Sequence, residues 1–367
     1  MTRDELAGAA FAVLDAAWDP AGFTAPSPER YPWQWLWDSC FHAVVWAELG
    51  DERGLVELTR LLDAQDDDGF VPHVLYAPHV SPHTDFWGRA DASSITQPPM
   101  HGHALVELVR RGVDVPDRLL ERSAAALGFL LRVRRRHASG LVRLCHPWES
   151  GADDSPRWDR WYGDDRYAAK GGLLRAIERT DGGAPIDNPV FDVACASFNA
   201  LVAFNARELA SLTGDDGLRG EADALVDALD EQWDPALRTW RDAGGSAVRT
   251  LDPLVGALVS DRHAGEALGS LVDPAAHGGA CGPTGVHRAE PAFDPHSYWR
   301  GSAWPQLSYL LWVAASRRGS DDIARAIAEA TVRGVEASGF AEHWGPDDGA
   351  PLGAVPQSWA TLALVMA

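Results

Sequence analysis

Apolar residues recur at helical spacing from one end of this chain to the other, and almost nowhere do they alternate with the period of a strand. That feature restricts the fold to an all-α architecture. Thr2 can cap a first helix that runs through Leu6, Ala10, Leu14 and Ala17. The spacing predicts further helices over Asp38–Leu49, Glu52–Ala64, Pro99–Arg111, Pro116–Arg136 and Ala168–Thr180. Later ones follow at Phe191–Leu212, Gly217–Trp233, Pro253–Val259, His263–Val272, Trp299–Arg318, Ser320–Ser338 and Gln357–Met366. The total is about twelve or thirteen helices.

Some of these segments are mostly apolar and others clearly amphipathic, as buried and half-exposed helices are. Their alternation fits two concentric rings, the (α/α)6 toroid or six-hairpin barrel. A helical solenoid would carry a regular sequence repeat, and none is visible. One hairpin is expected at Leu237–Thr250, where Asp242-Ala243-Gly244-Gly245 is a turn signal.

The connectors are unequal. Gly112–Val115 and Thr213–Asp216 are short and polar. Asp19–Trp37, Asp66–Pro98, His146–Tyr167, Val272–Tyr298 and Gly339–Pro356 are long and rich in Trp, His, Pro and Gly. Long structureless loops in a compact domain are usually functional, so these are expected to build a pocket at one end of the toroid. With no low-complexity linker between them, residues 1–367 read as a single domain.

A formal charge of −21, from 53 acidic and 32 basic side chains, disfavours nucleic acid and anionic membrane as partners. No apolar run reaches the length of about 18 residues that a membrane helix needs. The N-terminus shows no secretory signal, and Cys40, Cys145, Cys195 and Cys281 are scattered without metal-finger spacing. Reduced structural thiols in a cytoplasmic protein are therefore expected.

Phosphate-loop, serine-elbow and zinc-protease motifs are missing. What stands out is the run from Leu144 to Asp159, which packs four carboxylates, two tryptophans and a glycine into a non-helical stretch. A glycosidase needs a protonated carboxyl beside the leaving oxygen and an ionised one across the sugar, with flat apolar faces for the ring. A second candidate is Gly339–Gly349, where Glu342 follows Phe340-Ala341 at a helix end. Taken alone, composition favours an acidic surface turn for the first segment and a polar helix terminus for the second.

The Glu149-Ser-Gly-Ala-Asp-Asp-Ser-Pro-Arg-Trp158 run resembles the acid-bearing signature of helical-toroid glycosidases, the trehalases and glycoside hydrolase family 63. Tyr31-Pro-Trp-Gln-Trp-Leu-Trp-Asp-Ser-Cys-Phe-His42 looks like the N-terminal signature of family 63. Gly69-Phe-Val-Pro-His73, Thr96-Gln-Pro-Pro99, Tyr298-Trp-Arg-Gly-Ser-Ala-Trp-Pro305 and Val355-Pro-Gln-Ser-Trp359 match in the family's order. Within the family the likeness is to the bacterial mannosylglycerate and glucosylglycerate hydrolases.

The resemblance implies that Asp153 is the general acid and Glu342 the general base of an inverting α-glycosidase acting on a small α-glucoside or α-mannoside. Asp154 and Asp159 are the rivals for the acid. Trp37, Asp38, Gln97, Trp304 and Gln357 fall on sugar-subsite positions, and Gly151 lets the acid loop approach the sugar. Tyr31, Trp33, His73, Tyr298 and Trp299 match pocket positions. Arg166 and Tyr167 correspond to groups that hold an acceptor carboxylate. No metal or cofactor is required. Relative to the family, the stretch between Asp153 and Tyr298 is compressed and the loop Asp66–Pro98 trimmed, which alters the acceptor side.

The chain carries 16 Trp against 6 Tyr. Trp18, Trp46, Trp233 and Trp312 lie in helical stretches and are expected in the core. Trp33, Trp35, Trp37, Trp87, Trp148, Trp158, Trp299, Trp304 and Trp344 lie in or beside the long loops and are candidates for the pocket wall. His73, His83, His101 and His296 fit no metal-ligand spacing and suit polar pocket lining. A sugar epimerase on the same toroid would need paired histidines, against which the two carboxylate segments argue. A non-catalytic sugar-binding protein is the other alternative.

Overall fold

The computed structural model describes residues 1–80 and 83–367. Helices make up 48% of the protein, and strands are few and short. Among the described residues, the helices of ten residues or more are α1 (Arg3–Ala16), α2 (Leu36–Glu48), α3 (Arg53–Asp63), α4 (His101–Arg110), α5 (Asp117–Gly128), α6 (Arg166–Arg175), α7 (Ala196–Thr213), α8 (Asp216–Asp230), α9 (Pro305–Arg317) and α10 (Asp321–Ser338).

Local chemistry sets several of their ends. Thr2 caps α1, as the sequence suggested, and Glu5 completes a reciprocal capping box with it. Pro305 occupies the first turn of α9, where its missing N–H costs nothing. Consequently α9 begins six residues after the predicted Trp299 start, and 299–304 is left as loop. Predicted helix Pro116–Arg136 is α-helical to Gly128 and ends in a π turn, Phe129–Val133. Pro253–Val259 and the start of Gln357–Met366 are 3-10 segments, Asp252–Leu258 and Ser358–Leu362.

Packing follows a fixed order. Helix α2 lies against α4, α4 against α7, α7 against Asp252–Leu258, that segment against α9, α9 against Ser358–Leu362, and the last returns to α2. Each of these six also packs against a second helix: α3, α5, α8, the short helix Ala264–Gly269, α10 and α1 respectively. The burial patterns agree with this layering. Every residue of α2 from Leu36 to Ala47 is buried, whereas α3 buries one face through Gly54, Glu57, Leu58, Leu61 and Leu62. Trp46 is wholly buried, and Trp18, Trp233 and Trp312 are half-buried against the same core.

Among the described residues, the connectors hold five two-stranded antiparallel ribbons. One pairs Trp233–Asp234 with Thr239–Trp240, upstream of the turn expected at Asp242–Gly245. The Asp234 carboxylate accepts the backbone N–H of Ala236 and Leu237 and so forms the turn instead. Asp242 is buried, accepting the Ala196 N–H at the start of α7 (2.8 Å) and two hydrogen bonds from Arg157.

Candidate active site

The acid-bearing loop is pinned from below. Glu149 is buried and accepts hydrogen bonds from the backbone N–H of Cys145 (2.7 Å) and Thr96 (3.2 Å) and from both terminal nitrogens of Arg134. This ties the loop to the Thr96-Gln97 segment. Arg157, also buried, pairs with Asp242 and Asp252 and fixes the loop's far end. Between these anchors Gly151 turns with φ +74°, close against the Trp37 indole.

Glu342 is placed by a different device. Gly339 and Phe340 both adopt left-handed backbone (φ +67° and +62°), ending α10 and turning the chain. Beyond it His343–Trp344 pairs with Pro351–Leu352, and that ribbon brings the Ala354 N–H back onto Glu342 Oε2 at 2.9 Å. The Tyr31 hydroxyl lies 3.4 Å from both carboxylate oxygens.

Asp153 and Glu342 line one narrow chamber with Tyr31, Trp37, Asp38, Gln97, Gly151, Tyr298, Trp299 and Gln357. Gln97 accepts the Trp37 N–H (3.3 Å), and Gln357 caps Trp359 while its amide faces Asp38 at 3.5 Å. The aromatic floor is stacked: Trp299 lies on Trp304 (3.8 Å between centroids, 9°), and Trp304 on His343 (4.4 Å, 16°). Trp299 holds φ +56°, a conformation bulky residues rarely adopt away from functional sites.

Burial dominates the electrostatics. It pushes the Asp153 carboxyl up to about 7, with Asp154, Glu342 and Asp38 adding repulsion and Lys170 opposing. Asp38 is likewise pushed up to about 7 by burial, with His42 and Gln357 opposing. Burial also raises Glu342, but the Ala354 N–H, Arg30 and the Tyr31 hydroxyl favour its ionised form. His73 and His343 are pushed down to about 3 and about 4 by burial, which keeps both neutral.

A wider chamber of about 630 Å³ opens from the narrow one, sharing Trp35, Gln97, Asp153 and Tyr298 with it. Trp33, His73 and Tyr167 line it, as do Trp87, Trp148 and His83. Six residues singled out in the sequence for the pocket lie outside both chambers. Trp304 is fully buried behind Trp299. Arg166 pairs with Asp154 and Asp159 instead of facing the chamber. Trp158 and Trp344 are also wholly buried, donating to the Ala152 and Cys281 carbonyls. His101 bonds Ser123 in the core and His296 pairs with Asp348 at the surface.

The sequence does not single out Phe86 and Lys170 in the wide chamber, and it offers Asp154 only as a rival acid and Trp359 only as part of a motif. One signal was available: Lys170 is the sole lysine among 32 basic residues. Among the described residues, His103, Glu107 and Glu208 have metal-compatible spacing. Arg110, Arg111 and Arg317 already neutralise both glutamates.

Residues 31–360 match the family model of the mannosylglycerate hydrolase MGH1-like glycoside hydrolase domain. The chain belongs to this family. It is therefore a glycoside hydrolase. A mannosylglycerate hydrolase from Thermus thermophilus is 30% identical, over 93% of this chain and 96% of its own length. A glucosylglycerate hydrolase from Mycolicibacterium hassiacum is 29% identical, over 95% and 94%. The crystal structure of a glycoside hydrolase family 63 mannosylglycerate hydrolase from Thermus thermophilus, with Tris and D-glycerate, superposes with a TM-score of 0.87 at 26% identity. That match covers 98% of this chain and 99% of the other.

Among the described residues, no helix of this family member is long and apolar enough to cross a membrane.

Proposed function

We propose that this chain hydrolyses a small α-glucoside or α-mannoside with inversion, using Asp153 as general acid and Glu342 as general base. One observation carries the reading: two carboxyls from distant loops meet in one narrow chamber, where burial pushes Asp153 up to about 7 while hydrogen-bond donors oppose the rise at Glu342. Asp153, desolvated and repelled by its acidic neighbours, keeps its proton near neutral pH and can pass it to the glycosidic oxygen. Burial raises Glu342, and the N–H and phenol donors on its carboxylate oppose that rise and favour the ionised form, which takes a proton from water attacking the opposite face. The water adds as the bond to the aglycone breaks, so an α-linked substrate releases the β-anomer. Tyr31, Trp33, Trp37, Asp38, His73, Gln97, Gly151, Tyr298, Trp299 and Gln357 are read as the surrounding sugar site, with Tyr167 at its outer edge.

The scaffold is read as one (α/α)6 toroid over the whole chain, supported by the inner segments packing each on the next with a second helix on each. A cytoplasmic setting is supported by four free, buried cysteines. Mannosylglycerate, glucosylglycerate and short α-gluco-oligosaccharides are the substrates to screen. The test is NMR of the first product anomer, together with Asp153→Ala and Glu342→Ala. Loss in both and a β-anomer first are expected; retained activity in both variants, or an α-anomer first, overturns the mechanism.

A further inference from the structure

The wide chamber is larger and differently lined from what a small acid requires. Its walls are aromatic: Phe86 lies against Trp148 (6.0 Å between centroids, 38°), Trp87 against Trp148, and Trp33 against Tyr76. Its lining carboxyls are Asp85, Asp153 and Asp154, and Lys170 is its lining cation. That ammonium is committed to Asp154 at 2.7 Å and is itself largely buried. Arg166, one turn earlier on the same helix, is also held by Asp154 and Asp159. An incoming carboxylate would meet the repulsion of Asp85 and Asp154, against a cation whose charge Asp154 already offsets.

A neutral polyol has no such conflict. One hydroxyl can accept from the ammonium while its neighbour donates to the carboxylate, so a vicinal diol uses both partners and leaves them paired. Lysine suits this better than arginine. A guanidinium closes bidentately on a carboxylate, whereas a point-like ammonium leaves one carboxylate oxygen and two of its own three N–H groups free. The placement of the chain's sole lysine here, in a protein otherwise using arginine, agrees with that demand. The aromatic walls supply flat faces for the C–H side of a pyranose.

We infer that the wide chamber is an acceptor subsite for a neutral sugar unit, anchored by the Lys170–Asp154 pair between aromatic walls. The preferred substrate is then an α-linked disaccharide or short oligosaccharide, not the glycoside of a free acid. This rests on the hydrolase reading above.

The test uses the full-length protein with three substrate sets: α-glucosyl and α-mannosyl fluoride, which engage the narrow chamber alone; neutral α-linked gluco- and manno-disaccharides; and glucosylglycerate with mannosylglycerate. At least one disaccharide should exceed both glycerates in kcat/KM, and Lys170→Met should lower the disaccharide-to-fluoride ratio roughly tenfold. A glycerate preferred over every disaccharide, or an unchanged ratio in Lys170→Met, overturns the inference while leaving the hydrolase reading intact. If nothing is turned over, the hydrolase reading falls. Calorimetric titration with the same compounds then decides the subsite, tighter binding of a glycerate glycoside than of any disaccharide counting against it.

Discussion

Gly151 lies so close to the Trp37 indole that a Cβ on it would stand 2.6 Å from the ring, at a position whose φ of +74° already excludes most side chains. The acid loop and the sugar-site wall are thereby locked to each other, with Asp153 two residues beyond the contact. Gly151→Ala should displace either Trp37 or the loop. Because a misplacement of about 1 Å at a catalytic centre costs on the order of a hundredfold, kcat should fall by roughly that factor. The loss of stability should be smaller, about 1–3 kcal/mol from the strained backbone. Steady-state kinetics and thermal unfolding on the same sample separate the two.

The pH profile should be bell-shaped. Asp153 must be protonated to act, and its carboxyl is pushed up to about 7, so kcat/KM falls as pH rises through that value. The acid limb reports protonation of Glu342, which burial has raised from the ordinary glutamate range. Lys170 opposes the rise at Asp153, and Asp154 would lose the closer of its two cationic partners if the lysine were removed. Lys170→Met should therefore move the alkaline limb to higher pH. A limb that stays in place or moves down would show that Asp153 is not the group titrating there.

Arg134 and Glu149 form an ion pair with no solvent exposure on either side chain, and Glu149 also accepts two backbone N–H groups. Removing one member leaves an uncompensated charge inside the protein. Glu149→Ala should cost about 3–5 kcal/mol, read from the shift of a urea unfolding midpoint at constant slope. Because Glu149 joins the acid loop to Thr96-Gln97, activity in the surviving folded fraction should fall as well. Lys170→Met, which breaks a partly exposed pair, should cost far less.

How much of this could be read in the sequence depends on whether the deciding contact was local. Helix α1 was legible from Thr2, whose capping partner Glu5 lies only three residues away. Helix α7 was placed five residues too early, at Phe191. Its start is set by Asp242, whose carboxylate reaches Ala196 from a distant loop and leaves no mark near it in the chain. The same Asp242 had been read as part of a turn. Asp38, Gln97, Gly151, Asp153 and Glu342 stood in motifs whose order resembled a family, so their gathering in one chamber could be anticipated. Arg166 could not be placed that way. Its guanidinium is drawn to Asp154 and Asp159, and the position facing the wide chamber is taken by Lys170, one helical turn further along α6.

The same burial that arms Asp153 should weaken the fold. A carboxyl raised from 3.8 to about 7 holds its proton in the native state where the unfolded chain has released it. The native protein therefore binds more protons between about pH 4 and pH 7, and stability falls as pH rises through that window. Below it the group is neutral in both states and the stability is fully present; above it the loss is complete. Asp38 titrates in the same direction and range. Asp153→Asn removes one of the two charges while keeping the shape of the side chain. At pH 8 it should raise the melting temperature by roughly 2 °C or more, and at pH 4 it should leave it nearly unchanged. Differential scanning calorimetry at the two pH values decides this. A variant less stable than the parent at pH 8 would mean that ionised Asp153 has a stabilising partner, which would remove the basis for its role as the acid.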